Sequence, residues 1–348
     1  MKLQIARRTF PTPDSVTLHF RNGKTLQRYK PGQHGVFTFN VNGERITRTY
    51  SFHIVSGVDP NPAITIRTVE NGKVSTFARS NKIGEVELEK ISGSFYIEPS
   101  GETQRHLVMF AGGSGITPIM PMIRAVLHKE QPSSISLIYS NRNFESIIFR
   151  RELAQLENEF PHRLKILHIL TRETNIPPDF RVFCRGRLSR LVLRKLLKAI
   201  QSEITHTTEY YLCGPFHFME LIRESLASLN IDSTRIHQED FFIPETSATS
   251  LDVSTLLPRE VIIKLPDEEK LLFVDAGKSI LQAALQSDIK IKYSCTEGQC
   301  GMCRAFLLSG EVKLRKNHVL TEEELKDGEI LLCQGFPLSD NVSVRPVN

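Results

Sequence analysis

The hydrophobic rhythm of the chain changes twice. Over residues 1–102 apolar and polar positions alternate in short runs, S-V-T-L-H-F, G-V-F-T-F-N-V, A-I-T-I-R-T-V and E-V-E-L-E-K-I. Turn sequences R-N-G-K, K-P-G-Q, V-N-G-E and E-N-G-K punctuate them. A period of two turns one face of each run to a core and the other to water. With no helical stretch between them, these strands predict a closed antiparallel β-barrel. From about residue 105 the runs become continuously apolar: H-L-V-M-F-A, S-I-S-L-I-Y-S, L-K-I-L-H-I-L and Y-Y-L-C-G. Helical segments at 116–130, 145–159, 188–200 and 216–229 alternate with them. That order predicts an α/β domain, 103–243, whose parallel sheet is covered on both faces.

Residues 244–258, P-E-T-S-A-T-S-L-D-V-S-T-L-L-P, are rich in Ser and Thr with Pro at each end, which predicts an exposed linker. Beyond it, 259–348 hold strands V-I-I-K-L and L-L-F-V-D, an amphipathic helix S-I-L-Q-A-A-L-Q and a cysteine loop. The expected fold class is therefore multidomain: a β-barrel at 1–102, an α/β domain at 103–243, the linker, and a small domain at 259–348.

Length agrees, because 348 residues exceed what one core of about 250–300 residues accommodates. Hydrophobic residues at 40% and charged residues at 24% exclude wholesale disorder. A net charge of +5 is too small for this length to point to nucleic acid. No apolar run approaches the ~20 residues of a membrane span, and M-K-L-Q-I-A-R-R lacks the apolar core of a signal peptide. A cytoplasmic location is expected.

Four of the six cysteines lie in the last domain. The run Cys295-T-E-G-Q-Cys300-G-M-Cys303, followed by Cys333, has the C-x4-C-x2-C…C spacing of a plant-type [2Fe–2S] site. Three thiolates converge on one small cluster from a wrapping loop, and Gly298 and Gly301 permit close approach and positive φ there. A zinc site is the competing reading of Cys300-x2-Cys303, but structural zinc usually draws on two close-spaced pairs and Cys333 stands alone.

In the middle domain an apolar strand runs into G-G-S-G-I-T-P (112–118) and then a helix. Such a glycine turn admits a pyrophosphate to the helix N-terminus, while Pro118 suits a first helical turn. A tight β–α turn without ligand is the plainer alternative. Cys213-Gly214-Pro215 closes a later strand, at the edge where open α/β sheets bind ligands. For Cys184 an ordinary core position is expected. In the first domain Arg48-T-Tyr50-Ser51 offers a phosphate grip, an aromatic face and a hydroxyl on one strand. Gly72-K-Val74-Ser75-Thr76 reads as a loop or as a turn with a helix cap.

In combination, R-x-Y-S, G-x-V-S-T, G-G-S-G-I-T-P and C-G-P resemble the ferredoxin–NADP reductase superfamily over residues 1–243. The last domain resembles a β-grasp ferredoxin, with L-L-C-Q at 331–334 as its fourth-ligand segment. The whole chain is similar to multidomain reductases of bacterial oxygenases, of the phenylacetyl-CoA epoxidase reductase type. Ketosteroid hydroxylase and hybrid-cluster protein reductases are relatives. The resemblance implies an enzyme that passes electrons from NAD(P)H through FAD and a [2Fe–2S] cluster to an oxygenase. It implies that Arg48 binds the flavin pyrophosphate, Tyr50 packs on the isoalloxazine and Ser51 lies near its N5. Gly72, Val74, Ser75 and Thr76 would hold the pyrophosphate. Gly113, Gly115 and Thr117, with Gly214 and Pro215, would line the nicotinamide path, and Cys213 would adjoin the nicotinamide. The cluster ligands would be Cys295, Cys300, Cys303 and Cys333. Glu239 and Phe241 fall where some relatives bring an acid and an aromatic to the flavin, and His34 stands where relatives often have an aromatic or His, with no role implied beyond contact with the flavin. G-K-V-S-T resembles FAD-binding rather than FMN-binding members.

Two further expectations concern partners. The second parallel strand ends Tyr139-Ser140-Asn141-Arg142, with no acid to greet a ribose 2′-hydroxyl and one cation for a 2′-phosphate, which leans towards NADPH. Arg142 is otherwise a solvated loop cation. The acceptor is an oxygenase, or alternatively a hybrid-cluster protein, a desaturase or a cytochrome. A non-catalytic redox-sensing or zinc-binding interaction protein is a different class, which a colourless purified protein would support.

Overall fold

The computed structural model describes residues 1–21, 29–55, 61–69, 72–80, 83–173, 176–241, 256–293, 298, 301–317 and 319–347. They form two compact units, one holding the parallel sheet and all of the first six-stranded sheet but residues 46–49 and 92, the other holding the C-terminal sheets together with residues 46–49 and 92–94.

The first sheet is built from β1 (Lys2–Thr9), β2 (Ser15–Phe20), β3 (His34–Val41), β4 (Glu44–Ser51), β5 (Ala63–Arg67) and β6 (Glu85–Ser92), in the order β4-β3-β6-β1-β2-β5. The predicted runs become strands because their alternate side chains share one core, in which Phe20, Phe37, Phe39 and Phe52 are fully buried. The sheet curls until Phe52, just beyond β4, bridges Ile64 of β5 at the opposite edge. This bridge supplies the closure expected of a barrel. The expectation of no helix here is corrected by α1 (Lys73–Ala78), a single short turn of helix capped by Gly72.

The second sheet is parallel throughout, in the order β10 (Cys184–Arg185), β9 (Leu164–Leu170), β8 (Ser134–Asn141), β7 (His106–Gly112), β11 (Glu209–Gly214), β12 (Ile236–Asp240). Successive residues of β7 serve opposite cores. Leu107, Met109 and Ala111 pack with α2 (Ile116–Lys129) and Leu153 of α3 (Arg150–Glu159). Val108 and Phe110 pack with α4 (Arg190–Ala199) and α5 (Phe216–Ser228). Burial on both faces is why these strands read as unbroken apolar runs. The helix expected from 145 starts at Arg150, after a 3₁₀ turn at Phe144–Ser146, because Phe149 takes a left-handed conformation with φ 59°.

The C-terminal unit has a five-stranded sheet, β14 (Glu269–Val274), β13 (Arg259–Lys264), β19 (Val342–Pro346), β15 (Arg304–Ser309), β17 (Glu329–Leu331). Helix α6 (Ile280–Gln286) packs Ile280, Leu281 and Ala284 into its core. Ser279 and Gln282 close a capping box at its start. The expected linker, 244–258, lies outside the described residues except for 256–258. Among the described residues no helix is long and apolar enough to cross a membrane.

Candidate functional site

The parallel sheet ends at a floor of backbone. After β7 the chain makes a 3₁₀ turn at Gly113–Gly115 and enters α2. A Cβ on Gly115 would lie 2.1 Å from the Cys213 carbonyl oxygen, and one on Gly112 would lie 2.6 Å from Pro215 Cδ. Any side chain at these two positions would push apart the ends of β7 and β11. Gly113 has φ +54°, and its carbonyl oxygen accepts from the buried Tyr139 hydroxyl at 3.1 Å. Thr117 is buried in the first turn of α2 and donates to the Ser114 carbonyl at 3.0 Å. Four sequence-predicted positions, Gly113, Gly115, Cys213 and Gly214, thus meet in one place.

Ser51 and Glu239 join the same unit from two sheets. Cys213 of β11 is in register with Glu239 of β12. Ser51, the last residue of β4, donates to Glu239 Oε2 at 3.4 Å, and His34 Nδ1 lies 3.1 Å from Glu239 Oε1. His34 is buried, and its Nε2 has no hydrogen-bond partner among the described residues. Burial pushes the Cys213 thiol well up, and the neighbouring Glu239 and Asp240 carboxylates act in the same direction. Cys213 is therefore a neutral thiol at neutral pH. Phe241, which follows β12, is partly exposed.

Along β4 the expected flavin residues diverge. Tyr50 packs edge-on against Phe39, with ring centroids 5.9 Å apart. Arg48 is exposed and donates to the Thr47 carbonyl at 2.7 Å. A cavity of about 680 Å³ lies against Asn42, Glu44, Gly72, Lys73 and Thr76. The Ser75 hydroxyl is used inside the turn, accepting from Val69 N and donating to Gly72 O at 3.2 Å each. Val74 is buried beneath it.

In the C-terminal unit Cys303 and Cys333 are buried in one core, and the Cys303 carbonyl accepts from Leu332 N at 3.0 Å, which brings the two segments side by side. Gly298 and Gly301 have φ of 73° and 62°, as expected of a loop that must turn its backbone inward. A Cβ at Gly298 would also lie 2.9 Å from the Lys316 carbonyl oxygen. Cys295 and Cys300 lie outside the described residues. Cys184 is half-buried rather than in the core as expected, because β10 is a two-residue edge strand.

Sequence reasoning missed Asp14 and Arg67. Asp14 precedes β2, and its Oδ2 accepts from Arg67 Nε at 2.9 Å and from Arg142 Nη2 at 2.9 Å. Arg67 Nη1 in turn hangs over the glycine turn, 2.6 Å from where a Cβ on Gly113 would be. Only T-P-D-S before a strand signalled Asp14, and that is an ordinary turn sequence.

Three family models match in succession. Residues 2–95 match an oxidoreductase FAD-binding domain, 109–224 an oxidoreductase NAD-binding domain, and 264–338 a 2Fe-2S iron-sulfur cluster binding domain. The chain is 31% identical over 349 residues to a subunit of the 1,2-phenylacetyl-CoA epoxidase of Escherichia coli, covering 98% of this chain and 96% of that one. It is 29% identical to the ferredoxin reductase component of 3-ketosteroid-9-alpha-monooxygenase of Mycobacterium tuberculosis, over 91% of this chain and 85% of that one. Among solved structures, phthalate dioxygenase reductase shares the fold over 99% of this chain and 97% of its own, with a TM-score of 0.57 at 22% identity. On these matches the chain belongs to the family of multidomain oxygenase reductases that join an FAD-binding, an NAD-binding and a 2Fe–2S domain.

Proposed function

We propose that the chain oxidises NAD(P)H and delivers the electrons singly to an oxygenase, phenylacetyl-CoA epoxidase or a similar hydroxylase. The observation that supports this reading is the convergence of Ser51, Cys213 and Glu239 beside the Gly113–Gly115 turn. The acceptor is read from the 31% identity over 98% of the chain.

The residues present fit the groups that this activity requires. The cavity at Gly72, Lys73 and Thr76 accommodates part of a dinucleotide, and a Cβ at Gly72 would fill space next to Ser75 Oγ, 2.3 Å away. Bound FAD supplies the conversion of a hydride's two electrons into single electrons that an iron–sulfur cluster accepts. Arg48, exposed on its strand, and the turn Gly72, Val74, Ser75 and Thr76 hold the flavin pyrophosphate. Tyr50 would pack on the ring system, and Ser51 would lie near its reactive edge. Gly113, Gly115, Thr117, Gly214 and Pro215 form the nicotinamide floor, where backbone approaches ligand without side chains in the way. Cys213, kept as a thiol, presents no charge to the nicotinamide. Glu239 and His34 hold a proton-exchanging pair one hydrogen bond away from Ser51. Cys295, Cys300, Cys303 and Cys333 ligate the cluster. The domain limits 1–102, 103–243 and 259–348 and a cytoplasmic site of action complete the reading.

Anaerobic mixing with NADH or NADPH tests it. The flavin band bleaches first and the cluster absorbance follows; once O2 and acyl-CoA substrate are admitted, purified epoxidase oxygenase turns over. Failure of both nucleotides to bleach a flavin overturns the reductase reading; bleaching without oxygenase turnover overturns only the acceptor.

A further inference from the structure

In open α/β sheets an acid at the end of the second strand meets the adenosine ribose of a dinucleotide; here that strand is β8, and it ends without an acid. The fold supplies one from elsewhere. Asp14, 128 residues earlier in sequence, sits against Arg142 directly beyond β8, with Oδ2 at 2.9 Å from Nη2. Asp14 is fixed from three further directions, two at its carboxylate and one at its backbone carbonyl. Thr12 Oγ1 donates to Oδ1 at 2.7 Å, Arg67 Nε donates to Oδ2 at 2.9 Å, and the Asp14 carbonyl accepts from Thr68 N at 2.7 Å. The Arg142 backbone is fixed as well, since its carbonyl accepts from Arg172 N at 2.7 Å.

We propose that Asp14 is a specificity-determining residue that sets the enzyme towards NADH. The proposal rests on the reductase reading above and adds the identity of the nucleotide. Two consequences of the geometry carry it. A ribose 2′-phosphate arriving at Arg142 meets a guanidinium whose charge is already compensated by a carboxylate bonded to its Nη2. The same phosphate, doubly charged, would lie next to the anionic Asp14. A 2′-hydroxyl meets neither obstacle, and it finds in Oδ1 a carboxylate oxygen with accepting capacity left. Burial of Asp14 favours its neutral form, but the Thr12 hydroxyl and the two guanidiniums outweigh this and keep it ionised.

Arg67 also loses a partner if Asp14 is changed, but Arg67 lies over the Gly113 turn, and a glycine turn of this kind would take the pyrophosphate that both nucleotides share. Its contribution cancels in the ratio of NADPH to NADH. That ratio therefore isolates the Asp14–Arg142 contact.

The test uses the full-length holoenzyme and Asp14→Asn, a substitution that keeps size and the Thr12 contact. The wild type is expected to prefer NADH in kcat/KM. Asp14→Asn is expected to raise the NADPH-to-NADH ratio about tenfold, which corresponds to ~1.4 kcal/mol. Titration with 2′,5′-ADP and 5′-AMP reads the same shift without turnover: the variant gains affinity for 2′,5′-ADP only. Arg142→Ala covers the case in which Asp14→Asn does not fold. With its guanidinium already bonded to Asp14, it is expected to change the ratio less than threefold. A wild-type preference for NADPH, an unchanged ratio in Asp14→Asn, or a tenfold loss of NADPH use alone in Arg142→Ala each overturns the proposal. Flavin bleaching that responds to neither nucleotide overturns the underlying reductase reading instead.

Discussion

Glu239 reaches back 205 residues to His34, with 3.1 Å between Oε1 and Nδ1, and holds Ser51 with its other oxygen. One carboxylate thereby ties the last strand of the parallel sheet to two strands of the curled sheet. Glu239→Gln keeps the shape but loses the charge and the proton capacity. Hydride transfer should slow by about 10²–10⁴-fold, the range of lost acid–base assistance, while FAD stays bound. Stopped-flow bleaching and flavin content check both halves. His34→Ala removes a partner from a largely buried carboxylate and should cost about 1–3 kcal/mol in urea unfolding.

The glycine floor makes a graded prediction. Gly115→Ala drives a Cβ into the backbone carbonyl of Cys213, whereas Gly113→Ala meets the end of the Arg67 side chain, which moves more easily. Gly115→Ala should therefore lose both stability and nucleotide binding. Gly113→Ala retains more of each, although its φ of +54° still costs about 1 kcal/mol. Nicotinamide nucleotide titration with thermal unfolding separates the two variants.

Stability should fall as pH drops through the histidine range. Burial lowers the pKa of His53 to about 3 and that of His168 to about 4. Each stays neutral in the fold but binds a proton in the unfolded chain below the ordinary value near 6.5. Their folded pKa values are depressed, so the unfolded state holds more protons between about 6.5 and 4, and unfolding becomes easier across that window. Urea midpoints at about pH 7, 6 and 5 should decline, and His53→Gln should flatten the decline. A midpoint independent of pH would contradict this.

Much of this was legible in the sequence, for physical reasons. A parallel strand buried on both faces has to be apolar at every position, and H-L-V-M-F-A is. The glycine turn was legible because its positions tolerate no side chain. Contacts between distant segments left no local trace: nothing near Asp14 names Arg142, and nothing near His34 names Glu239. Helix α1 escaped notice because six residues with no side-chain cap carry no periodic stripe. The start of α3 escaped because Phe149 adopts a left-handed conformation that sequence assigns to glycine.

Removing one of the proposed cluster ligands should separate the two halves of the relay. Cys333 is buried in the C-terminal core, in a unit distinct from the two larger sheets. Cys333→Ser offers a harder oxygen in place of a thiolate. The variant should lose cluster absorbance and cytochrome c reduction while keeping flavin and the reduction of ferricyanide from NAD(P)H. Loss of both activities with flavin still bound would contradict a modular relay.

The order of strands in the parallel sheet also sets a timetable for synthesis. Strand β7 lies between β8, which follows it closely, and β11, which begins at Glu209. A ribosome adding about 5–20 residues each second leaves one edge of β7 without its neighbour for roughly 5–20 s. All seven residues of that strand are destined for burial, so the waiting edge is an adhesive one. The nucleotide floor cannot exist until Cys213 and Gly214 have emerged, nor the Glu239 contact until later still. Completion of the proposed nicotinamide floor is therefore a late event in the life of each chain, and yield in a foreign host should depend on how well the nascent chain is shielded while it waits.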